Sequence, residues 1–233
     1  MKKLNPCAYD TDKGEMPNYI SMYENHLSPM ADEPVVLLEL GVKKGGSLMM
    51  WRDYFSKGII LGLDRAEVRI EDPSGRIKTY CGNQDDFNLL DKIVEDNAPQ
   101  GIDIVIDDCS HIGELTKRSF WHLFKKHLKP GGLYFIEDWG TAYWDSWIDG
   151  KNYRCRRKWF KIKYEMYKKK NRYLSHDYGM VGFLKELIDE CGMQDITHPL
   201  NGLSPQRPSS FELMQISFGI AMIMKSKGKG NLN

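Results

Sequence analysis

Two short apolar runs end abruptly in acids. Ile104-Val105-Ile106 leads into Asp107-Asp108, with His111 three residues further on, and Leu133-Tyr134-Phe135-Ile136 leads into Glu137-Asp138. In an open α/β sheet, ligands bind beyond the carboxyl ends of the strands, so acids at such tips face a crevice rather than a core. Asp108, His111, Glu137 and Asp138 would then surround one site. Hard oxygen donors of this kind suit Mg²⁺, which keeps positions open for water or substrate oxygens. A divalent ion there would acidify a hydroxyl of a bound diol. His111 could take that proton as general base, an effect typically worth ~10²–10⁴-fold. An Asp-x-x-His pair alone reads as a helix cap and a loop residue. Four such groups on two adjoining tips favour the metal-assisted site.

A second set of residues suits a nucleoside. Leu37-Leu38-Glu39-Leu40-Gly41-Val42-Lys43-Lys44-Gly45-Gly46-Ser47 reads as a strand, a glycine turn and a helix start capped by Ser47. Dinucleotide sites use G-x-G-x-x-G so that pyrophosphate rests on the helix N-terminus, whereas the spacing here is G-x-x-x-G-G with two lysines inside. Glu39 at the strand tip repels phosphate and suits a cationic ligand. S-adenosylmethionine carries a sulfonium and an ammonium and no phosphate. The next apolar run ends in Asp64, 25 residues after Glu39, where a carboxylate can accept both ribose hydroxyls. Cys81-Gly82-Asn83-Gln84-Asp85 supplies polar groups suited to an adenine edge. Each acid alone is an ordinary strand end; the pair at this spacing favours an adenosine-containing cofactor.

These groups need a scaffold, and the hydropathy pattern provides one. Continuous apolar runs at 35–40, 59–64, 76–81, 103–107 and 132–137 alternate with helical stretches at about 47–55, 87–97 and 113–128. That is the pattern of a parallel sheet covered by helices. Lys129-Pro130-Gly131-Gly132 reads as a turn. Runs at 211–217 and 219–224, with only Phe218 between them, read as a closing hairpin. The expectation is an α/β, Rossmann-like fold over 35–225, with a mostly parallel seven-stranded sheet and helices on both faces. Residues 1–34 form a lead-in with Tyr19, Met22, Tyr23 and Leu27 on one helical face. Residues 139–180 begin with Trp139, Tyr143, Trp144 and Trp147 and form a lid or insertion; 226–233 form a flexible tail.

The chain has 233 residues, enough for a substantial core. Its five cysteines are irregularly spaced, with no C-x-x-C pair, which argues against a disulfide framework or a zinc site. Cys109 is a nucleophile in principle but has no activating partner of its own. No signal-like segment opens the chain and no apolar run approaches ~18 residues, so a cytoplasmic setting without a membrane span is expected. The remaining histidines (His26, His122, His127, His176 and His198) have no evident acid partner and read as structural or surface groups.

The same segments resemble a known family. Glu39-Leu40-Gly41-Val42 with Gly45-Gly46-Ser47-Leu48, Trp51-Arg52, Tyr54-Phe55 and Gly62-Leu63-Asp64 resemble the class I S-adenosylmethionine-dependent methyltransferases. Ile106-Asp107-Asp108-Cys109-Ser110-His111, Leu128-Lys129-Pro130-Gly131-Gly132-Leu133-Tyr134 and Ile136-Glu137-Asp138 with Thr141-Ala142-Tyr143-Trp144 are most similar to the metal-dependent macrolide-sugar O-methyltransferases of the mycinamicin and tylosin type. Thr11-Asp12-Lys13-Gly14 looks like the lead-in of those enzymes. The resemblance covers about residues 9–145. It implies Mg²⁺ held by Asp108, Glu137 and Asp138, His111 as base, and S-adenosyl-L-methionine contacts at Glu39, Gly41, Ser47, Asp64, Gln84 and Asp107. Lys43-Lys44 replaces a glycine of the general loop, and Cys109 stands where the family commonly has glycine. Residues 146–210, where acceptor specificity usually resides, do not match closely. A sugar or other polyol acceptor is therefore expected, without commitment to a macrolide.

Residues 151–172 carry eleven Lys or Arg against one acid, although the whole chain has a formal net charge of only +1. Phe160, Tyr164 and Tyr167 recur there at helical spacing. The stretch suits a solvated or homo-oligomer-contact helix, an anionic acceptor, or nucleic acid; near-neutral net charge argues against the last. The rival readings are an RNA methyltransferase using this stretch and a non-catalytic cofactor-binding partner subunit. A non-haem iron oxygenase would need a second histidine beside the acids.

Overall fold

Seven strands form one sheet: β1 (Val36–Leu40), β2 (Ile59–Asp64), β3 (Ile77–Cys81), β4 (Ile102–Asp107), β5 (Leu128–Glu137), β6 (Phe211–Ile216) and β7 (Ile220–Lys225). Their order is β3-β2-β1-β4-β5-β7-β6. The first five run parallel, and β7 is antiparallel to both β5 and β6. The computed structural model describes residues 2–156 and 175–228. Most of the basic stretch, the middle of the expected lid and the end of the tail lie outside those residues.

Helices α1 (Pro17–Leu27) and α2 (Gly46–Tyr54) cover one face of the sheet. On the other face lie α3 (Phe87–Asn97) and α4 (Gly113–Lys126); after α5 (Ile148–Arg156), α6 (Gly179–Cys191) joins them. Strand side chains alternate between faces, and this parity sorts the acids. Leu38, Leu40 and Val105 join the α3–α4–α6 layer, which also receives Asp107. Leu37 and Phe135 join the α1–α2 layer, so Glu39 and Glu137 point into that layer. The lead-in belongs to the same layer: Leu4, Tyr19, Met22, Tyr23 and Leu27 are buried with Leu37, Trp51 and Phe135.

The chain runs outward through β2 and β3, then returns past β1 to build β4 and β5. The gap between β1 and β4 is the switch point at which open α/β sheets bind ligands. Leu40 pairs with Asp107, and Asp107 with Ile136, so three strand tips are level there.

Three expectations need correction. Lys129-Pro130-Gly131-Gly132 is part of β5, not a turn before it. Leu128 pairs with Ile102, the register shifts, and regular pairing resumes at Leu133, so Pro130 falls in the irregular part of the ladder where a missing N–H is tolerated. The closing strands are separated by three residues, Ser217-Phe218-Gly219, because Ser217 donates its N–H to Ile220 O (2.8 Å) and Gly219 turns at a φ of 75°. His122 and His127 do have an acid partner: their Nε2 atoms lie 2.7 and 2.6 Å from Asp91 Oδ1, and Lys126 donates to Oδ2 at 2.6 Å. Asp91 is 31 and 36 residues away in sequence, and this network ties α3 to the end of α4.

Candidate active site

The turn after β1 is held from three sides. Gly41 has a φ of 82°, and a Cβ there would lie 2.2 Å from the Asp108 carbonyl oxygen. Only glycine lets the loops after β1 and β4 meet this closely. Asp64 at the tip of β2 accepts the N–H groups of Val42 (3.1 Å) and Lys43 (3.0 Å) through Oδ2. Its Oδ1 accepts the N–H of Ala66 at 2.9 Å. Ser47 does not cap α2, whose N-cap is Gly45 in a left-handed conformation. Its hydroxyl instead donates to Glu39 Oε2 at 2.7 Å. Glu39, Gly41, Ser47 and Asp64 thus act on one loop.

Gln84 and Asp107 form a second group behind that loop. Gln84 accepts the N–H of Ser110 (3.2 Å) and donates to Asp107 Oδ1 (3.4 Å). Asp107 Oδ2 accepts from Ser119 and Tyr134, both at 3.2 Å. Burial pushes the Asp107 carboxyl up to about 7, against the pull of those two hydroxyls. Cys109 beside it is pushed up to about 12, by burial and then by the neighbouring acids, which removes it as a nucleophile.

Asp64→Ala is expected to weaken adenosylmethionine binding by about tenfold or more, because two hydrogen bonds to a charged acceptor are lost from the loop. Asp64→Asn, which keeps an oxygen acceptor, should lose less. Calorimetric titration distinguishes the two, and unchanged binding in the alanine variant would remove Asp64 from the cofactor site.

The acids on β5 part company. Glu137 turns inward, where Lys13 donates to its Oε1 at 2.6 Å and the Tyr23 hydroxyl donates to the same oxygen. Lys13 also reaches Asp108 Oδ2 at 3.0 Å and lies 3.1 Å from Glu39 Oε1. Its side chain is only 1% exposed. Burial opposes the ammonium charge, but the three carboxylates outweigh it and hold Lys13 well above its ordinary pKa. Glu137 is raised too, first by burial and then by Asp108, against the pull of Lys13. Glu39 is also raised, by burial.

Asp138 adopts a left-handed conformation (φ 52°) and turns the other way, toward solvent. Tyr19 pins it, donating to Oδ1 at 2.7 Å and accepting the Asp138 N–H at 3.2 Å. Its Oδ2 lies 3.7 Å from His111 Nε2, and Asp108 Oδ1 lies 3.8 Å from the same nitrogen. One ligating atom from each of Asp108, His111 and Asp138 falls within 4.8 Å of the others. The ring of His111 packs edge-on against Trp147 at 5.3 Å. Trp144 lies 6.5 Å from Trp147, ring to ring, and both are exposed.

The donor set suits a hard divalent ion. Asp108 and Asp138 each have one oxygen anchored by Lys13 or Tyr19 and the other facing His111. Both hydrogen bonds to Glu137 fall on Oε1, leaving Oε2 as the remaining donor. Among the described residues, the non-glycine positions with positive φ are Lys43, His111 and Asp138, all in this site. Each costs of order 1 kcal/mol or more, a pattern common where side-chain direction serves function.

Lys13, Tyr19 and Tyr23 were not among the expected site residues. Thr11-Asp12-Lys13-Gly14 was legible only as part of a lead-in, and the two tyrosines as a helical face.

A sheet of this order, with a glycine turn at the switch point and acids on the next two tips, is the arrangement of the class I S-adenosylmethionine-dependent methyltransferases, and in sequence and fold the chain is similar to members of that class. Its named relatives are sugar O-methyltransferases. The chain is 31% identical over 233 residues to the 8-demethyl-8-alpha-L-rhamnosyl tetracenomycin-C 2'-O-methyltransferase of Streptomyces olivaceus, a match covering 96% of this chain and 54% of that protein. It is 44% identical over 133 residues to the demethylmacrocin O-methyltransferase of Streptomyces fradiae, covering 52% of this chain and 32% of that protein. A solved structure of the MycE methyltransferase from the mycinamycin biosynthetic pathway, in complex with Mg and SAH, superposes with a TM-score of 0.74 at 31% identity. That match covers 97% of this chain and 55% of the other. The chain therefore spans roughly a third to a half of the relatives it matches. No family model matches it.

Proposed function

We propose that this chain is an S-adenosylmethionine-dependent, Mg²⁺-assisted O-methyltransferase acting on a hydroxyl of a sugar or glycosylated small molecule. The observation that carries this reading is the convergence of Asp108, His111 and Asp138 beside the glycine turn after β1. Sugar O-methyltransferase relatives, and a solved relative complexed with Mg and SAH, support it.

The loop of Gly41 to Ser47, held by Asp64 and Glu39, binds the cofactor, while Gln84 and Asp107 shape the floor of its pocket. Asp108, Glu137 and Asp138 would hold Mg²⁺, which when bound supplies Lewis-acid polarisation of a hydroxyl oxygen. His111 takes the acceptor's hydroxyl proton. The oxygen then receives the methyl group from the sulfonium, whose sulfur leaves as a neutral thioether. Trp144 and Trp147 offer aromatic faces to the apolar side of a pyranose ring next to His111, which positions the acceptor. The exposed free thiols of Cys7, Cys81 and Cys191 support a reducing, cytoplasmic setting. No helix among the described residues is long and apolar enough to cross a membrane.

Labelled-methyl transfer to a panel of sugar nucleotides and deoxysugar glycosides, with and without EDTA, tests the proposal. Transfer that EDTA abolishes and Mg²⁺ restores is expected. Cofactor binding without turnover on any polyol, or methylation of RNA indifferent to EDTA, would replace this reading by one of its rivals.

A further inference from the structure

The lead-in does more than complete a hydrophobic layer. Residues 9–14 lie directly on the cofactor turn: a Cβ on Gly46 would sit 2.0 Å from the Asp10 carbonyl oxygen. Asp10 pairs with Lys44 at 3.1 Å and Asp12 with Lys43 at 3.2 Å, both at the surface. Tyr9 packs partly on the hydrophobic layer, and Lys13 is the one residue of this strap that is fully buried. Its ammonium touches an acid from each of three strand tips: Glu39 after 3.1 Å, Asp108 after 3.0 Å and Glu137 after 2.6 Å.

A buried lysine in this position has a cost that nothing in simple packing requires. Three carboxylates converging in a largely buried pocket repel one another, and an unpaired buried charge is strongly unfavourable. Lys13 relieves that repulsion from inside the protein. Glu39 Oε1 is buried and has no hydrogen-bond partner among the described residues, so the ion pair with Lys13 compensates its charge there. Asp108 and Glu137 are two of the three acids assigned above to Mg²⁺, so the lysine and the divalent ion share ligands.

We propose that Lys13 is a positioning residue, a tethered counter-cation that holds the acids of the cofactor turn and of the metal site in one geometry and lowers their affinity for the divalent ion. The inference rests on the proposed metal site but concerns a residue that site does not require. Its consequence has a definite sign. An ammonium and a divalent cation that would share carboxylate ligands repel, even with water-like screening, by an amount equivalent to on the order of tenfold in affinity. Lys13 therefore weakens Mg²⁺ binding while keeping the apo site assembled. This keeps the ion exchangeable and the strap closed over the cofactor turn when no ion is present.

The test is Lys13→Met, which keeps the length of the side chain and removes its charge. Mg²⁺ is titrated calorimetrically into the full chain without cofactor or acceptor, and thermal melts are run in EDTA and in Mg²⁺. Three results are expected. The variant melts below the wild type in EDTA, it gains more stability from Mg²⁺ than the wild type does, and its Mg²⁺ affinity rises by on the order of tenfold. The gain should vanish in Lys13→Met/Asp108→Asn. Equal Mg²⁺ affinities, or weaker binding in the folded variant, would overturn the inference while leaving the metal site standing. Binding in neither protein would overturn both. If Lys13→Met does not fold in EDTA, Lys13→Gln is the second variant. Folding of either only in Mg²⁺ supports the proposal, and failure of both even in Mg²⁺ reduces Lys13 to a structural residue and ends it.

Discussion

Asp108→Asn is expected to lower methyl transfer by on the order of 10³-fold or more while leaving adenosylmethionine affinity within a few-fold of wild type. The separation follows from which atoms of Asp108 do what. Its contribution to the cofactor turn is made by backbone: its N–H donates to Leu40 O at 2.9 Å, and its carbonyl oxygen lies against Gly41. Its contribution to the ion is made by the carboxylate, whose Oδ1 faces His111 and whose Oδ2 is held by Lys13. Asparagine keeps the backbone and one oxygen acceptor for Lys13 but removes the charge that draws a divalent ion. Alanine would also strip Lys13 of a partner, mixing a stability loss into the rate. Initial rates with labelled cofactor, beside a calorimetric binding curve, separate the two effects. An Asp108→Asn protein that is active and indifferent to EDTA would refute the metal assignment.

The sheet was legible because buried parallel strands read as unbroken apolar runs, and the chain shows five of them before residue 140. The ends of these runs also revealed where acids would gather. Their directions were not legible. Glu137 and Asp138 are adjacent in sequence, yet Glu137 is held inside by Lys13 and Tyr23 while Asp138, in a left-handed conformation, is held nearer the surface by Tyr19. Asp and His tolerate that conformation better than most residues, so nothing in composition flags it. Lys13 was hidden for a different reason. Two of its three partners, Asp108 and Glu137, are 95 and 124 residues away, and a lysine in a polar loop ordinarily belongs to the surface. Strand parity held the missing signal. Glu39 and Glu137 share a face with Leu37 and Phe135, so two acids were bound to enter a hydrophobic layer and to need a cation there. Asp107 is the converse case. It shares parity with Val105 and is drawn under α4 to Ser119 and Tyr134, behind the cofactor turn.

The strain and the anchoring in this crevice hold His111 against two carboxylates without letting it touch either at hydrogen-bond distance. At 3.8 and 3.7 Å from Asp108 and Asp138, its Nε2 is close enough to share a ligand with them and too far to be consumed by them. Tyr19 and Lys13 set those distances by holding the far oxygen of each acid, and Trp147 fixes the ring from the side.

Replacing His111 should therefore cost the full value of a positioned base, ~10²–10⁴-fold in rate. Asparagine is the informative substitution, because it tolerates the positive φ of 52° at this position and preserves the loop, whereas alanine adds backbone strain. His111→Asn should bind adenosylmethionine and Mg²⁺ as the wild type does. The smaller His111→Ala side chain leaves room beside Trp147 for a free base. Added imidazole should then restore part of the alanine variant's activity in a concentration-dependent way, and should leave Asp108→Asn unaffected. That contrast separates a proton acceptor from a group that only shapes the crevice: a purely structural histidine would lose rate without rescue. Near-normal turnover in His111→Asn would take the residue out of the reaction and leave the acceptor's proton to another group, of which Asp138, 3.7 Å away and half-exposed, is the nearest carboxylate.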